Sequence, residues 1–375
     1  MRTAVVADVG WVNGLAAIRS LGRAGAPVIA VDHRRGALGF HSRYAEARLC
    51  PDPVSETGAY VDFLRTLGDE LDAPPPIFPT HDEHLNAIAR HRDELGERFL
   101  YPFPGWDVLE PIQSKRHQVE RAAELGIPVP RTRTEPTDEL GFPVLVKPSD
   151  PTGFRRAFRR QAFRCATRAE LDDAFERARP HDPLVQELIP GGDDALYTLG
   201  SYLSRDGEAL GVFSGRKLRQ TPPGVGTCRV GEAVWVDEVV EQGLALLRGL
   251  GFHGLSQVEF KRDPRDGAYK LIEVNPRLFQ WHGLAAACGT DLTRIAYFDL
   301  LGTPPPPARS NGASASWGPH KVRSTLWGRK RWAITLMRGS RPALVRPPYV
   351  DAILALDDPR PAAAQVAGLV RRRLR

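Results

Sequence analysis

In the stretch LIEVNPRLFQ, residues 271 to 280, an acid, an amide and a guanidinium stand at alternate positions: Glu273, Asn275 and Arg277. Alternate residues of a strand project to one face, so these three share a side while Ile272 and Val274 pack the other. Pro276 cannot donate to a ladder and bends the chain at Arg277. Upstream, SQVEFKRD (256 to 263) carries Glu259, and the intervening PRDG is a turn signal, so the two runs form a hairpin. Its register decides whether Glu259 joins the set. An Asp266-Gly267 turn would pair Glu259 with Val274. A loop of Arg265 to Gly267, with Gly267 left-handed in a bulge, pairs Glu259 with Glu273, and this register is predicted. Carboxylates directly opposite one another repel, so a cation must sit between them. Hard oxygen donors on two carboxylates and one amide suit magnesium, which keeps waters and is completed by phosphates. Glu259, Glu273 and Asn275 are therefore the predicted metal ligands.

A metal on phosphates needs ammonium groups around the same anion. Only seven of the 51 lysines and arginines are lysine, at 115, 147, 217, 261, 270, 321 and 330. In so arginine-biased a chain each lysine marks a place where a compact point charge is wanted. Lys115 lies in a helix read over 107 to 132, Lys147 ends the apolar strand GFPVLVKPSD, and Lys217 lies in SGRKLRQ, where Arg216 and Arg219 compete for its role. Lys261, Lys270, Lys321 and Lys330 read as ordinary.

The elements that position these residues fall into distinct patterns. TAVVADV (3 to 9), a helical run from Leu15 to Ala24 and PVIAVDH (27 to 33) read as strand, helix, strand, the start of a parallel sheet. The helix over 107 to 132 stops at Gly126, before Pro128 and Pro130. VQELIPGG ends a strand in a glycine turn, and from 194 repeated strands, a helix and a hairpin form an antiparallel unit. Residues 303 to 316 read as a proline-rich linker. A basic tail with three tryptophans follows, closing with a strand over 351 to 356 and a helix.

Composition narrows the function. The net charge of +6 is spread along the chain with no recognition motif, so an anionic small molecule accounts for it as well as nucleic acid would, and no nucleic-acid partner is expected. MRTAVVADVG has neither the h-region of a signal peptide nor the length of a membrane span. Cys50, Cys165, Cys228 and Cys288 are scattered without CxxC, as in a reduced cytoplasmic protein.

With Lys115 followed by GIPVP, VLVKP with Lys147, VQELIPGG, VEFKRD and IEVNPR in this order, the chain resembles ATP-grasp enzymes of the carboxylate-amine ligase kind over residues 1 to about 300. The resemblance implies α/β plus α+β architecture, an ATP-grasp fold with an N-terminal Rossmann-like domain (1–105). A linker helix and first lobe (106–190) and a second lobe with the magnesium site (191–302) would enclose ATP, and a linker and basic appendage (303–375) follow. It implies that Lys115 and Lys147 touch the phosphates, that Gln186, Glu187 and Ile189 line the adenine, and that Asp193 or Asp194 takes the ribose hydroxyls. Glu259, Glu273 and Asn275 match the family's magnesium ligands, a place manganese can also take, and Arg277 its stabiliser of an acyl phosphate. Dimers are common in the family. One departure is the segment after Lys147, PSDPTGFRRAFRRQ, with the single glycine Gly153 where a glycine-rich flap is usual. Arg155, Arg156, Arg159 and Arg160 either replace backbone amides there or meet an acidic substrate.

The expected reaction is ATP-dependent amide or peptide bond formation between a small carboxylate and an amine, amino acid or peptide, through an acyl phosphate. Arg277 and Lys217 carry the catalytic charge, and ADP and phosphate are released. TPPGVGTCR (221 to 229) is the expected substrate loop. Two alternatives are an NAD(P)-dependent oxidoreductase, with Asp32 on a ribose, and a non-catalytic ATP-binding protein. His81, Asp82 and Glu83 read as the acidic first turn of a helix.

Overall fold

The computed structural model describes residues 1–149, 151–224, 226–304, 331–334 and 349–373. Lys321, Lys330, nearly all of the 303 to 316 linker, Trp317 and Trp327 lie outside them.

The chain begins β1 (Ala4–Ala7), α1 (Val12–Arg23), β2 (Val28–Asp32), β3 (Ala45–Leu49), α2 (Thr57–Asp69), β4 (Ile77–Pro79), α3 (Asp82–Arg90) and α4 (Arg92–Leu95). The strands form a parallel sheet in the order β3-β2-β1-β4. β1 and residues 28–31 of β2 are unbroken apolar runs because both faces are covered. Ala4 and Val6 pack with Leu15 and Ile18 of α1, and Val5 and Ala7 with Tyr60 and Leu64 of α2. Strand order reverses between β1 and β4, so the crevice at their carboxyl ends opens beside Asp8 and Thr80.

The helix predicted over 107 to 132 is two helices, α5 (Trp106–Gln113) and α6 (Lys115–Glu124). Pro111 interrupts the donor ladder of α5. Ser114 then turns extended, and its hydroxyl caps α6 by accepting from His117 N at 3.4 Å. This break puts Lys115 in the first turn of α6.

β5 (Thr132–Arg133), β6 (Val144–Pro148), α7 (Pro151–Phe158), β7 (Phe163–Cys165), α8 (Arg168–Ala178) and β8 (Pro183–Glu187) follow, with an antiparallel sheet ordered β5-β8-β6-β7. α7 is a helix in the glycine-poor segment after Lys147. Its Phe154 and Phe158, one turn apart, pack on Phe163 at ring separations of 5.1 Å.

The remaining elements are β9 (Leu196–Leu203), β10 (Ala209–Thr221), β11 (Thr227–Ala233), α9 (Asp237–Gly249), β12 (Gly254–Arg262) and β13 (Tyr269–Asn275). After them come α10 (His282–Ala287), α11 (Leu292–Leu300), β14 (Arg331–Ala333), β15 (Tyr349–Asp351) and α12 (Arg360–Arg373). Their sheet runs β13-β12-β9-β10-β11-β14-β15. Val239 and Leu246 of α9 cover Leu199, Val258 and Phe260, leaving part of the opposite face for polar side chains. The strand predicted over 351 to 356 stops at once. The Asp351 carboxylate accepts from Ile353 N and Leu354 N and turns the chain.

Candidate functional site

Glu259 does pair with Glu273, though not through the predicted loop. Asp263 and Ala268 close a four-residue loop, Pro264 to Gly267, with Asp263 N on Ala268 O at 2.8 Å. Arg262 faces Tyr269 and Phe260 faces Leu271, a register that would set Glu259 against Ile272. A bulge at Ile272 adds one residue and brings Glu273 opposite Glu259. The apolar side is therefore Leu271 and Val274, and Ile272 is half-buried outside that core. Gly267 is left-handed, at φ 78°, as the last residue of the loop.

The sheet's register gathers the rest. Glu259 faces Thr198 on β9, Lys261 faces Leu196, and Lys217 lies two residues beyond Gly215, the partner of Thr198. Period-two alternation puts Gln257, Glu259, Lys261, Glu273, Asn275 and Lys217 on one face. Each carboxylate holds an ammonium: Lys217 Nζ is 2.8 Å from Glu259 Oε1, and Lys115 Nζ donates to Glu273 Oε2 at 2.7 Å. Gln257 donates to Glu259 at 2.8 Å and Asn275 to Glu273 at 3.0 Å. Burial would raise the Glu273 carboxyl, but the Lys115 charge and hydrogen bond hold it well below the usual carboxylate range. Burial of Lys217 is likewise outweighed by Glu259, which raises its pKa.

Lys147 and Gln186 share a face of the β6–β8 pair, and Lys147 Nζ donates to Gln186 Oε1 at 2.7 Å. Burial, and Lys115 beside it, push the Lys147 ammonium down to about 7. Glu187 points to the other face, 3 % exposed, where it takes Arg131 Nε at 3.2 Å and Arg265 Nη2 at 2.9 Å. Its carboxylate is thus bound up in an ion network, with Lys270 at 3.6 Å. The Ile189 carbonyl accepts from Lys261 Nζ at 2.9 Å. Asp193 clamps the β10–β11 connection through Gln220 N, Gln220 Nε2 and Gly224 N, each at 2.9 Å, whereas Asp194 is exposed. Lys261 and Lys270, ordinary by sequence, are both engaged here, Lys261 on Gly191 O at 3.0 Å and Lys270 on Asp263 at 2.7 Å, and the scarcity of lysine is the signal that marks them.

The 221 to 229 segment is only partly a loop. Cys228 and Arg229 lie in β11, and burial pushes the Cys228 thiol up to about 12. Arg277 reaches the N-terminal unit instead, where its Nε and Nη2 donate to Asp82 at 2.5 and 3.2 Å. The acidic first turn of α3 is therefore part of the site's surroundings. Asp32, the ribose ligand of the oxidoreductase alternative, is fully buried and accepts Arg34 N, Nε and Nη2. A fully buried carboxylate bonded three times to one arginine presents no exposed oxygen to a ribose.

The donor set fits magnesium. Two paired carboxylates, each neutralised here by one ammonium, stand with the amides of Asn275 and Gln257, all hard oxygen ligands. Among the described residues no group of three or more His, Cys, Asp or Glu forms a metal cluster, and a phosphate-completed site needs none.

The model of the carbamoyl-phosphate synthase L chain ATP-binding domain matches residues 234–297, which span α9, the hairpin and α10. D-aspartate ligase of Enterococcus faecium is 26% identical over 240 residues, 59% of this chain. The match covers 57% of that ligase's length. The biotin carboxylase domain dimer of Hydrogenobacter thermophilus 2-oxoglutarate carboxylase, solved with MgADP, superposes with a TM-score of 0.62 at 19% identity. The superposition covers 80% of this chain and 70% of that one. The chain has the ATP-grasp fold. L-amino acid ligase from Bacillus licheniformis is another structure of this kind, with a TM-score of 0.60 at 17% identity, covering 80% and 74%. Lys147, bonded to Gln186, lies near enough to Glu273 and Glu259 of the largest sheet for their charges to act on it. Among the described residues no helix is long and apolar enough to cross a membrane.

Proposed function

We propose that the protein is an ATP-dependent carboxylate-amine ligase. The observation that carries this reading is the pairing of Glu259 with Glu273 on one strand face, with Lys115 and Lys217 bonded to them. Lys147, whose pKa burial and then Lys115 lower, stands nearby. A buried ammonium that keeps only part of its charge, with a second ammonium beside it, suits a polyanion. Glu259, Glu273 and Asn275 would hold magnesium, which when bound offsets charge on phosphate oxygens.

Lys115 and Lys147 then hold the nucleotide phosphates, with Gln186 and Ile189 beside the base and Asp194, the exposed acid of its pair, near the ribose. A carboxylate oxygen of the first substrate attacks the γ-phosphorus, the bond to the ADP oxygen breaks, and an acyl phosphate forms. An amine attacks the acyl carbon, phosphate departs, and the amine gives up a proton. Arg277 and Lys217 offset the phosphoryl charge, since such transfer is mostly positioning and electrostatics. The similarity to D-aspartate ligase and L-amino acid ligase makes an amino acid the first carboxylate substrate to try.

ADP release should be screened against D- and L-amino acids paired with amines, with products identified by mass, in the parent and in Glu273→Gln. An amide product that depends on both partners and falls at least 10²-fold in Glu273→Gln is expected. Equal rates in the two proteins would overturn the site.

A further inference from the structure

We infer that Asp82 is the positioning residue that aims Arg277 at the reacting centre, and that through Arg155 it holds α7 to the N-terminal unit. The first half rests on the ligase reading for the role of Arg277, and the second rests on geometry alone. Asp82 begins α3 at the carboxyl end of β4 and is 8 % exposed. Its two oxygens accept Arg277 Nε at 2.5 Å, Arg277 Nη2 at 3.2 Å and Arg155 Nη2 at 3.2 Å. One carboxylate thus joins the N-terminal unit, α7 and the segment after β13. Burial would raise its pKa, but Arg277 and then Arg155 hold it below the usual range, so it stays charged.

Arg277 has little else to orient it. Its remaining bonds are long, Nη2 to Asn275 Oδ1 at 3.3 Å and Nη1 to Leu278 O at 3.4 Å. Pro276 fixes where the stem starts, and the two-toothed contact with Asp82 fixes the plane of the fork. The second N–H of Nη1 is the donor left for an incoming phosphoryl or carboxylate oxygen. An acid that served only the helix dipole would not need two donors from one arginine. Beside it Arg156 Nη2 meets Glu83 at 3.4 Å, so α7 touches the first turn of α3 at two successive residues.

The test uses the full chain in the parent, Asp82→Asn, Asp82→Glu and Arg155→Gln. In the ligation assay Asp82→Asn should lower kcat about tenfold to 10²-fold, the cost of a misaimed group, while KM for ATP stays within about twofold. Asp82→Glu should recover part of the loss. A purely structural acid would lower the melting temperature with kcat per folded molecule unchanged, and that result overturns the positioning role. Limited trypsin digestion, read as the initial rate of cleavage after Arg156, addresses α7 without any turnover. Asp82→Asn and Arg155→Gln should both speed that cut about two- to fivefold, as expected for a partly exposed ion pair. Unchanged cutting in both overturns the junction. A parent that ligates no substrate pair overturns the ligase reading and the aim of Arg277 with it, while the digestion still decides the junction.

Discussion

Lys147 is the residue whose charge would report a polyanion bound beside it. Its ammonium has a pKa of about 7 because burial and then Lys115 disfavour the charged form. The unfolded chain holds that proton up to about 10.4, so between pH 7 and that value it binds more protons than the folded one. The stability of the unliganded protein therefore gains a contribution that grows as pH rises across this window. Polyphosphate placed beside Lys147 raises its pKa again, so nucleotide binding at pH 8 must take up a fraction of a proton. Calorimetry of ATP binding in buffers of different ionisation enthalpy measures that uptake. Lys147→Arg should abolish it, because a guanidinium stays charged throughout. No uptake by the parent would mean that phosphate does not reach Lys147.

At this same scale the sequence was legible through chemistry and scarcity together. The alternation in LIEVNPR and the rarity of lysine led to Glu259, Glu273, Asn275, Lys115, Lys147 and Lys217. The partners of Glu187 and Asp193 were not legible, because Arg131, Arg265 and Gly224 reach them only through tertiary contacts. Asp82 was visible only as a helix-start acid, since its bond to Arg277 spans 195 positions.

Elements follow from the sequence where periodicity is strong, and escape it where one residue changes the geometry. β1, α1 and β2 follow from apolar runs and a helical period, and α7 follows from two phenylalanines one turn apart rather than from the missing glycines. The Ile272 bulge carries no sequence mark, yet it decides which residues face the site. What holds that edge is Gln118 of α6, 4 % exposed. Its side chain accepts from Val274 N at 2.9 Å and donates to Val274 O at 3.0 Å, in place of a neighbouring strand. Gln118→Leu would leave both groups of Val274 without partners, at a cost of about 1 to 3 kcal/mol. Urea unfolding should show that loss with an unchanged m-value. Affinity for nucleotide should fall more than stability at a remote site predicts, because Glu273 and Asn275 flank Val274.

Across the whole molecule, the C-terminal segment closes a circuit between the first sheet and the largest one. β14 pairs with β11, β15 pairs with β14, and the chain then returns to Arg19 of α1 and to residues 38–43. The return is fastened by charge inside the protein. Asp358 is 0 % exposed and accepts Arg19 Nε at 3.0 Å, Ser42 Oγ at 2.8 Å and Arg43 N at 2.9 Å. Arg19 Nη2 also donates to the carbonyls of Ile353 at 2.8 Å and Asp358 at 2.9 Å. Next to it the exposed pair Arg23–Asp357 has the same chemistry in water, at 2.7 Å. Removing one partner of a buried pair strands the other charge, so Asp358→Ala should cost about 3 to 5 kcal/mol. Asp357→Ala, at the surface, should cost less than about 1 kcal/mol. Both are read by urea unfolding of the full chain. Parity between the two variants would mean that the C-terminal segment does not bury Asp358 in solution. The predicted difference would make residues 349–373 part of the folded core that presents the site.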